Sequence, residues 1–192
     1  MRTFAVVGHL APTGDGFTLD DLPGSAGRMD ILCRCVNAAL SISHGIRRDT
    51  GIHLILLGPP SPPKDLLLQG SAVRSLSPDE RSTAALLRKA LALPVGESFR
   101  ESSPGILVRR GGLAGLVAEG EYAVLSEDGR DVRTIPDLSG GFLLSDHLDF
   151  TAGEEEVLSA LPRISVGPRV LHADHAITVL QNELDRREEG WS

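Results

Sequence analysis

Arg163-Ile164-Ser165-Val166-Gly167-Pro168-Arg169-Val170-Leu171-His172-Ala173-Asp174-His175 is the stretch on which the fold turns. Arg163 to Val166 has the length and β-branched content of a short strand, and Gly167-Pro168 stops it. A helix starts near His172 and runs to about Glu188. Two earlier segments have the same form, a strand end followed by turn residues. They are Leu125-Ser126-Glu127-Asp128-Gly129, closing a strand from Tyr122, and Leu143-Leu144-Ser145-Asp146-His147, closing one from Phe142. In open parallel sheets ligands bind beyond the carboxyl ends of strands, so three such loops can share one pocket. The same segments read equally well as ordinary turns.

Working outward, Phe4 to Val7 reads as a first strand, followed by a Gly- and Asp-rich loop from Ala11 to Gly27. A helix is expected from Met29 to Ser43 and a strand from His53 to Leu57. Asp65 to Gln69 and Ala72 to Leu76 flank Gly70-Ser71 and read as a hairpin. Ser77-Pro78-Asp79-Glu80 reads as a helix start with Ser77 as N-cap, the helix reaching Leu91. Ile106 to Arg109 reads as a strand and Leu113 to Ala118 as a short helix. Thr151-Ala152-Gly153-Glu154 is a second capping box, opening a helix to about Leu161. Strands alternating with helices, without a linker or repeat, predict one α/β domain over residues 1–192 with a mostly parallel sheet.

Of the 192 residues 41% are hydrophobic but only 4% aromatic, so aliphatic side chains must build the core. The net charge of -7 argues against binding nucleic acid through bulk charge. Any RNA contact must come from a local patch. Arg28, Arg34, Arg47, Arg48, Arg74, Arg81, Arg88, Lys89, Arg109 and Arg110 all fall in the first 110 residues. They form either a solvated face or a phosphate-contacting surface. No signal-peptide pattern or membrane-length apolar run occurs, and Cys33 and Cys35 read as reduced thiols, so a cytoplasmic protein with no membrane partner is expected. Glycine-rich dinucleotide, P-loop and nucleophile-elbow motifs are missing. His172, Asp174 and His175, with His147, could be considered as zinc ligands of a hydrolase. A polar pocket or helix cap is the favoured reading, and no metal is expected.

Several motifs occur together and in order. They are Val7-Gly8-His9-Leu10-Ala11-Pro12-Thr13-Gly14, Leu22-Pro23-Gly24-Ser25-Ala26-Gly27-Arg28-Met29-Asp30, Leu56-Leu57-Gly58-Pro59-Pro60, Ser77-Pro78-Asp79-Glu80-Arg81-Ser82-Thr83-Ala84 and Leu171-His172-Ala173-Asp174-His175. Across the whole chain they resemble the archaeal tRNA pseudouridine-54 N1-methyltransferase family, TrmY, and its bacterial relatives, within the SPOUT superfamily. The resemblance implies a parallel-sheet SPOUT fold with a C-terminal deep trefoil knot, a homodimer, and S-adenosylmethionine as cofactor. On the same likeness the cofactor pocket comprises Leu125, Ser145, Val166, Gly167, Pro168, Arg169, Val170, Leu171 and Ala176. Family members commonly carry Gly where this chain has Ser145, and many archaeal ones carry Cys where it has Ala176. A bound cofactor must therefore tolerate the Ser145 side chain or use its hydroxyl, and no thiol at position 176 can be essential.

Pseudouridine exposes an N1–H that uridine lacks, so one hydrogen bond can discriminate between them. Methyl transfer to N1 needs alignment and loss of that proton. Asp30 is the candidate proton acceptor or hydrogen-bond partner, Arg28 the stabiliser of negative charge or phosphate, and His9 a further base candidate. Asp30 reads alternatively as a carboxylate favoured by a helix N-terminus, with Arg28 as its surface partner. The expected acceptor is a pseudouridine-containing tRNA. A free pseudouridine-type C-nucleoside and a catalytically inactive RNA-binding or assembly role are the alternatives.

Overall fold

The computed structural model describes residues 1–191. In chain order its elements are β1 (Arg2–Pro12), α1 (Leu22–Ser25), α2 (Met29–Leu40), β2 (Ser41–Ile42), β3 (Gly45–Ile46), β4 (Thr50–Gly58), β5 (Lys64–Gln69) and α3 (Glu80–Leu91). There follow β6 (Arg100–Ser103), β7 (Ile106–Arg110), α4 (Leu113–Glu119), β8 (Tyr122–Asp131), β9 (Gly141–Ser145), α5 (Ala152–Leu158), β10 (Arg163–Ser165) and α6 (Ala173–Glu188). Eight strands form one sheet in the order β10-β8-β9-β1-β4-β5-β7-β6. From β10 to β4 all neighbours are parallel, and from β4 to β6 all are antiparallel. The expected mostly parallel α/β sheet is present, extended by an antiparallel wing.

β1 lies between β9 and β4 and is apolar on both faces, as a strand covered on both sides must be. Phe4 and Val6 enter the larger core with α2, α3 and α6, whereas Ala5 and Val7 enter a smaller one with Leu113, Leu116 and Leu158 of α4 and α5. Phe4 packs on Phe142 of β9 with ring centroids 5.7 Å apart. α2 rests on β1 and β4 while α3 and α6 flank it, so residues on most of its surface are buried, Asp30 among them.

β8 and β10 depart from regular pairing in a way that shapes the site. Arg163 pairs with Val124, but the next residue, Ile164, pairs with Arg130. The intervening β8 residues, from Leu125 to Gly129, have no partner in β10, and Leu125 to Glu127 line the groove of the site. Gly129 permits the close approach, because a Cβ there would lie 2.5 Å from the Ile164 backbone.

The structure corrects several expected elements. Ala72 to Leu76 is not a strand; Ala72 and Val73 both donate to the Gln69 carbonyl and turn the chain away. β5 pairs instead with β4 and β7. Asp79, not Ser77, caps α3, its carboxylate accepting from Ser82 N at 2.8 Å. α2 ends at Leu40 rather than Ser43 because a small β2–β3 hairpin follows, turning through His44 at φ 65°. α5 stops at Leu158 rather than Leu161, but its capping box is formed as expected by Thr151 and Glu154.

Phe142→Ala should lower the unfolding free energy by about 3–5 kcal/mol, as expected for truncating a fully packed aromatic ring. Ile42→Ala, at an exposed hairpin position, should stay within about 0.5 kcal/mol of wild type. Urea unfolding followed by circular dichroism reads both.

Candidate active site

The out-of-register stretch of β8 from Leu125 to Glu127, the loops after β9 and β10, and the first turn of α6 enclose a groove of about 530 Å³. That volume falls within the roughly 300–1,000 Å³ usual for small-molecule sites. Leu125, Ser145, Ala176, Val166, Gly167, Arg169, Val170 and Leu171 all line it, and Pro168 alone of the expected set does not. Ser165 fixes the last loop, donating its hydroxyl to the Gly167 carbonyl at 2.8 Å and accepting from Gly167 N at 3.3 Å.

Ser145 bears directly on whether S-adenosylmethionine fits. Its hydroxyl donates to the Leu148 carbonyl within the same loop, so the extra atoms of Ser over Gly are turned back on the loop. Apolar Leu125, Val166, Leu171 and Ala176 offer a wall for an adenine ring, and Glu127 and Asp149 add carboxylates for an ammonium or ribose hydroxyls. The residues present fit the group.

A charged cluster adjoins the groove at the start of α2. Arg28 has a left-handed backbone, φ 64°, an uncommon conformation for a residue with a side chain. It donates Nε and Nη2 to the two oxygens of Asp30, each at 3.0 Å, and Arg34 Nη1 adds a third bond at 3.0 Å. Burial favours the neutral acid, but the hydrogen bonds from Arg28 and Arg34 outweigh it and hold the Asp30 carboxyl below its ordinary value. A carboxylate so stabilised is a poor proton acceptor. Of the roles expected for Asp30, the geometry favours the hydrogen-bond partner that fixes Arg28.

His9 is held at both ring nitrogens. Nδ1 lies 2.9 Å from Asp146 and Nε2 3.0 Å from Glu154, while its backbone N–H donates to Asp146 at 3.0 Å. Burial disfavours the imidazolium, yet the bonds to both carboxylates prevail and raise the His9 pKa above 6.5. With both nitrogens engaged, His9 is a strut joining β1, the β9 loop and α5 rather than a free base. Asp146 also lines the groove and accepts from Leu148 N at 3.0 Å, so the strut sets the loop that walls it.

The sequence reading put Asp146 in a pocket loop, Arg34 in a basic cluster and Asp174 beside two histidines, but it did not connect them, or Glu154, to His9 and Asp30. Arg34 was recoverable as the i+4 helical neighbour of Asp30. The contacts of His9 span 137 and 145 residues and leave no local signal. His172 and His175 stack edge to face, 5.7 Å between centroids. Among the described residues no group of three His, Cys, Asp or Glu is arranged to hold a metal ion. None of the described helices is long and apolar enough to cross a membrane.

Residues 1–189 match a family model described as "Putative SAM-dependent RNA methyltransferase". A tRNA (pseudouridine(54)-N(1))-methyltransferase of Methanospirillum hungatei is 50% identical over 193 residues, covering 100% of both chains. One of the same description from Haloferax volcanii is 47% identical, covering 96% of each. The crystal structure of Archaeoglobus fulgidus Nep1 bound to S-adenosylhomocysteine superposes with a TM-score of 0.62 at 12% identity, covering 98% of each chain, and so shares the fold.

The His9 strut carries a pH signature. A raised imidazole pKa gives stability that is complete below about pH 6.5, the ordinary value, and is lost as pH rises through the folded value. Glu154, held low although burial opposes it, contributes in the opposite sense, and its share is lost as pH falls through its folded value. The stability gap between wild type and His9→Gln should therefore be largest near pH 6 and shrink toward pH 9. Urea titrations across that range measure the gap, and the His9 ring resonances should titrate above 6.5.

Proposed function

The chain belongs to the SAM-dependent RNA methyltransferase family, and from that premise we propose that it transfers a methyl group from S-adenosylmethionine to N1 of pseudouridine 54 in tRNA. The carrying observation is 50% identity along the full length of a protein so described, together with a groove that fits the cofactor. When bound, S-adenosylmethionine supplies an electrophilic methyl group on its sulfonium.

This chain's own residues supply position and charge. The β9 and β10 loops would hold the cofactor, with Leu125 and Ala176 closing its sides. Arg28 commits Nε and Nη2 to Asp30 and keeps Nη1 outside that pair, to face a phosphate or the developing negative charge on the base. The left-handed backbone at Arg28 and the buried carboxylate beside it fix this cation before the acceptor arrives.

The enzyme acts as a cytoplasmic homodimer with a single domain. Val170, 75% exposed on the groove's outer loop, and Val179 farther along α6 give a second copy apolar surface to cover. The C-terminal segment is threaded as the SPOUT knot. In support, the chain leaves β10 at the sheet edge, crosses along the groove, and packs α6 on α2 near the centre of the sheet. Arg187 of α6 meanwhile donates to the Val132 and Ile135 carbonyls in the stretch that follows β8.

Calorimetry with S-adenosylmethionine and S-adenosylhomocysteine, followed by methylation assays, tests the proposal. Both ligands should bind, and tRNA carrying pseudouridine 54 should be methylated while uridine-54 tRNA is not. Its KM should rise steeply with salt, unlike that of a free-nucleoside enzyme. Arg28→Ala should lower kcat about 100-fold or more, with S-adenosylhomocysteine affinity within about three-fold of wild type. Absence of binding by either ligand would overturn the proposal.

A further inference from the structure

Arg34 reaches carboxylates on three helices. It lies 3.0 Å from Asp30 one turn earlier on α2, 3.1 Å from Glu80 on α3, and 3.6 Å from Asp174 in the first turn of α6. Asp174 differs from the other two. Its Oδ2 stands 3.6 Å from Arg34 Nε and 3.7 Å from His175 Nε2, both beyond hydrogen-bond length, and its buried Oδ1 has no hydrogen-bond partner among the described residues.

A buried carboxylate with one oxygen unbonded and the other loosely paired lowers stability relative to a neutral amide of the same size. Its place at the positive end of α6 offsets only part of that cost. Folding alone therefore gives a weak reason for Asp at this position. Its surroundings give a stronger one. His172, which caps α6, and Ala173 and Ala176 within it, on either side of Asp174, line the cofactor groove. Across from them, Arg34 shares its Nη1 between Asp30 and Glu80, and Asp30 in turn holds Arg28. One guanidinium thus spans the wall of the cofactor groove and the charged pair assigned to the acceptor.

We propose that Arg34 and Asp174 are positioning residues that couple the two sites: cofactor binding against the first turn of α6 draws Asp174 onto Arg34, and the tightened pair sets Asp30 and Arg28 for the acceptor. The inference rests on the function proposed above. Coupling is reciprocal, so it can be read from either ligand.

The experiment measures Kd for a stem-loop RNA carrying pseudouridine at the position equivalent to tRNA 54, without and with saturating S-adenosylhomocysteine. Wild type should bind the RNA about five-fold or more tightly with the ligand present. In Asp174→Asn and Arg34→Lys that ratio should fall to about two or less, while S-adenosylhomocysteine still binds. Asp174→Asn should also keep or raise Tm, which separates loss of coupling from loss of structure. Wild-type ratios in both variants, or no coupling in wild type that does bind S-adenosylhomocysteine, would overturn this inference alone. Failure of wild type to bind S-adenosylhomocysteine would overturn the proposed function, and this inference with it.

Discussion

β1 is paired on both edges, to β9 and β4, and packed on both faces, which leaves it one direction in which to present anything: its carboxyl end. There the apolar run of Ala5 to Val7 gives way to Gly8 and His9, and the neighbouring parallel strand β9 ends beside it at Ser145. Asp146 follows immediately and donates its backbone N–H to the Val7 carbonyl at 3.0 Å. Much of the site is placed from this point. His9 reaches Asp146 and α5, the β9 loop walls the groove, and α2 brings Arg28 and Asp30 over the same end of the sheet. Parallel pairing in register makes this possible, because only then do successive strands finish on one side.

A chain of net charge -7 meets a polyanion by arranging its cations locally. Two of the guanidiniums near the groove, those of Arg28 and Arg34, are not free point charges. Arg28 and Arg34 are braced by Asp30, so one carboxylate fixes the direction of two cations. Bracing reduces the charge felt at a distance but increases what each arginine can do in one geometry. Such a surface discriminates by fit, its salt-sensitive attraction coming from local phosphate contacts.

The parallel part of the sheet and the loops after β9 and β10 were legible because strand periodicity followed by Gly, Pro or Asp is a local signal, whereas Leu125 to Gly129, read as a third strand end, lies inside β8, which continues to Asp131. The Thr151–Glu154 capping box was equally local and formed as read. Its second use was not legible: Glu154 also receives His9, 145 residues away, and nothing around either residue announces the other. Ser77 against Asp79 at the start of α3 was decided by which side chain better accepts a backbone N–H, a choice that the motif alone leaves open. The polar edge strand Arg100–Ser103 lacked any apolar alternation to mark it. Arg28 and Asp30 were identified from resemblance, and the structure adds why they sit two apart: the left-handed turn at Arg28 folds its side chain back onto the carboxylate. The register break between Val124 and Arg130 depends on the approach of two backbones at Gly129, which no single segment encodes.

Arg2 sits at the opposite end of β1 and is buried, with its guanidinium bonded to Gln181, Asp185 and Glu188 of α6 and paired with Asp49. Its closest partner in sequence within α6 lies 179 residues later. A ribosome makes Arg2 well before those α6 partners. The clasp therefore cannot close until α6 has emerged, and before then Asp49 is the one of these partners that the nascent chain can offer Arg2. Completion of β1 is in this sense a late event, timed by the arrival of the helix that also forms one wall of the groove.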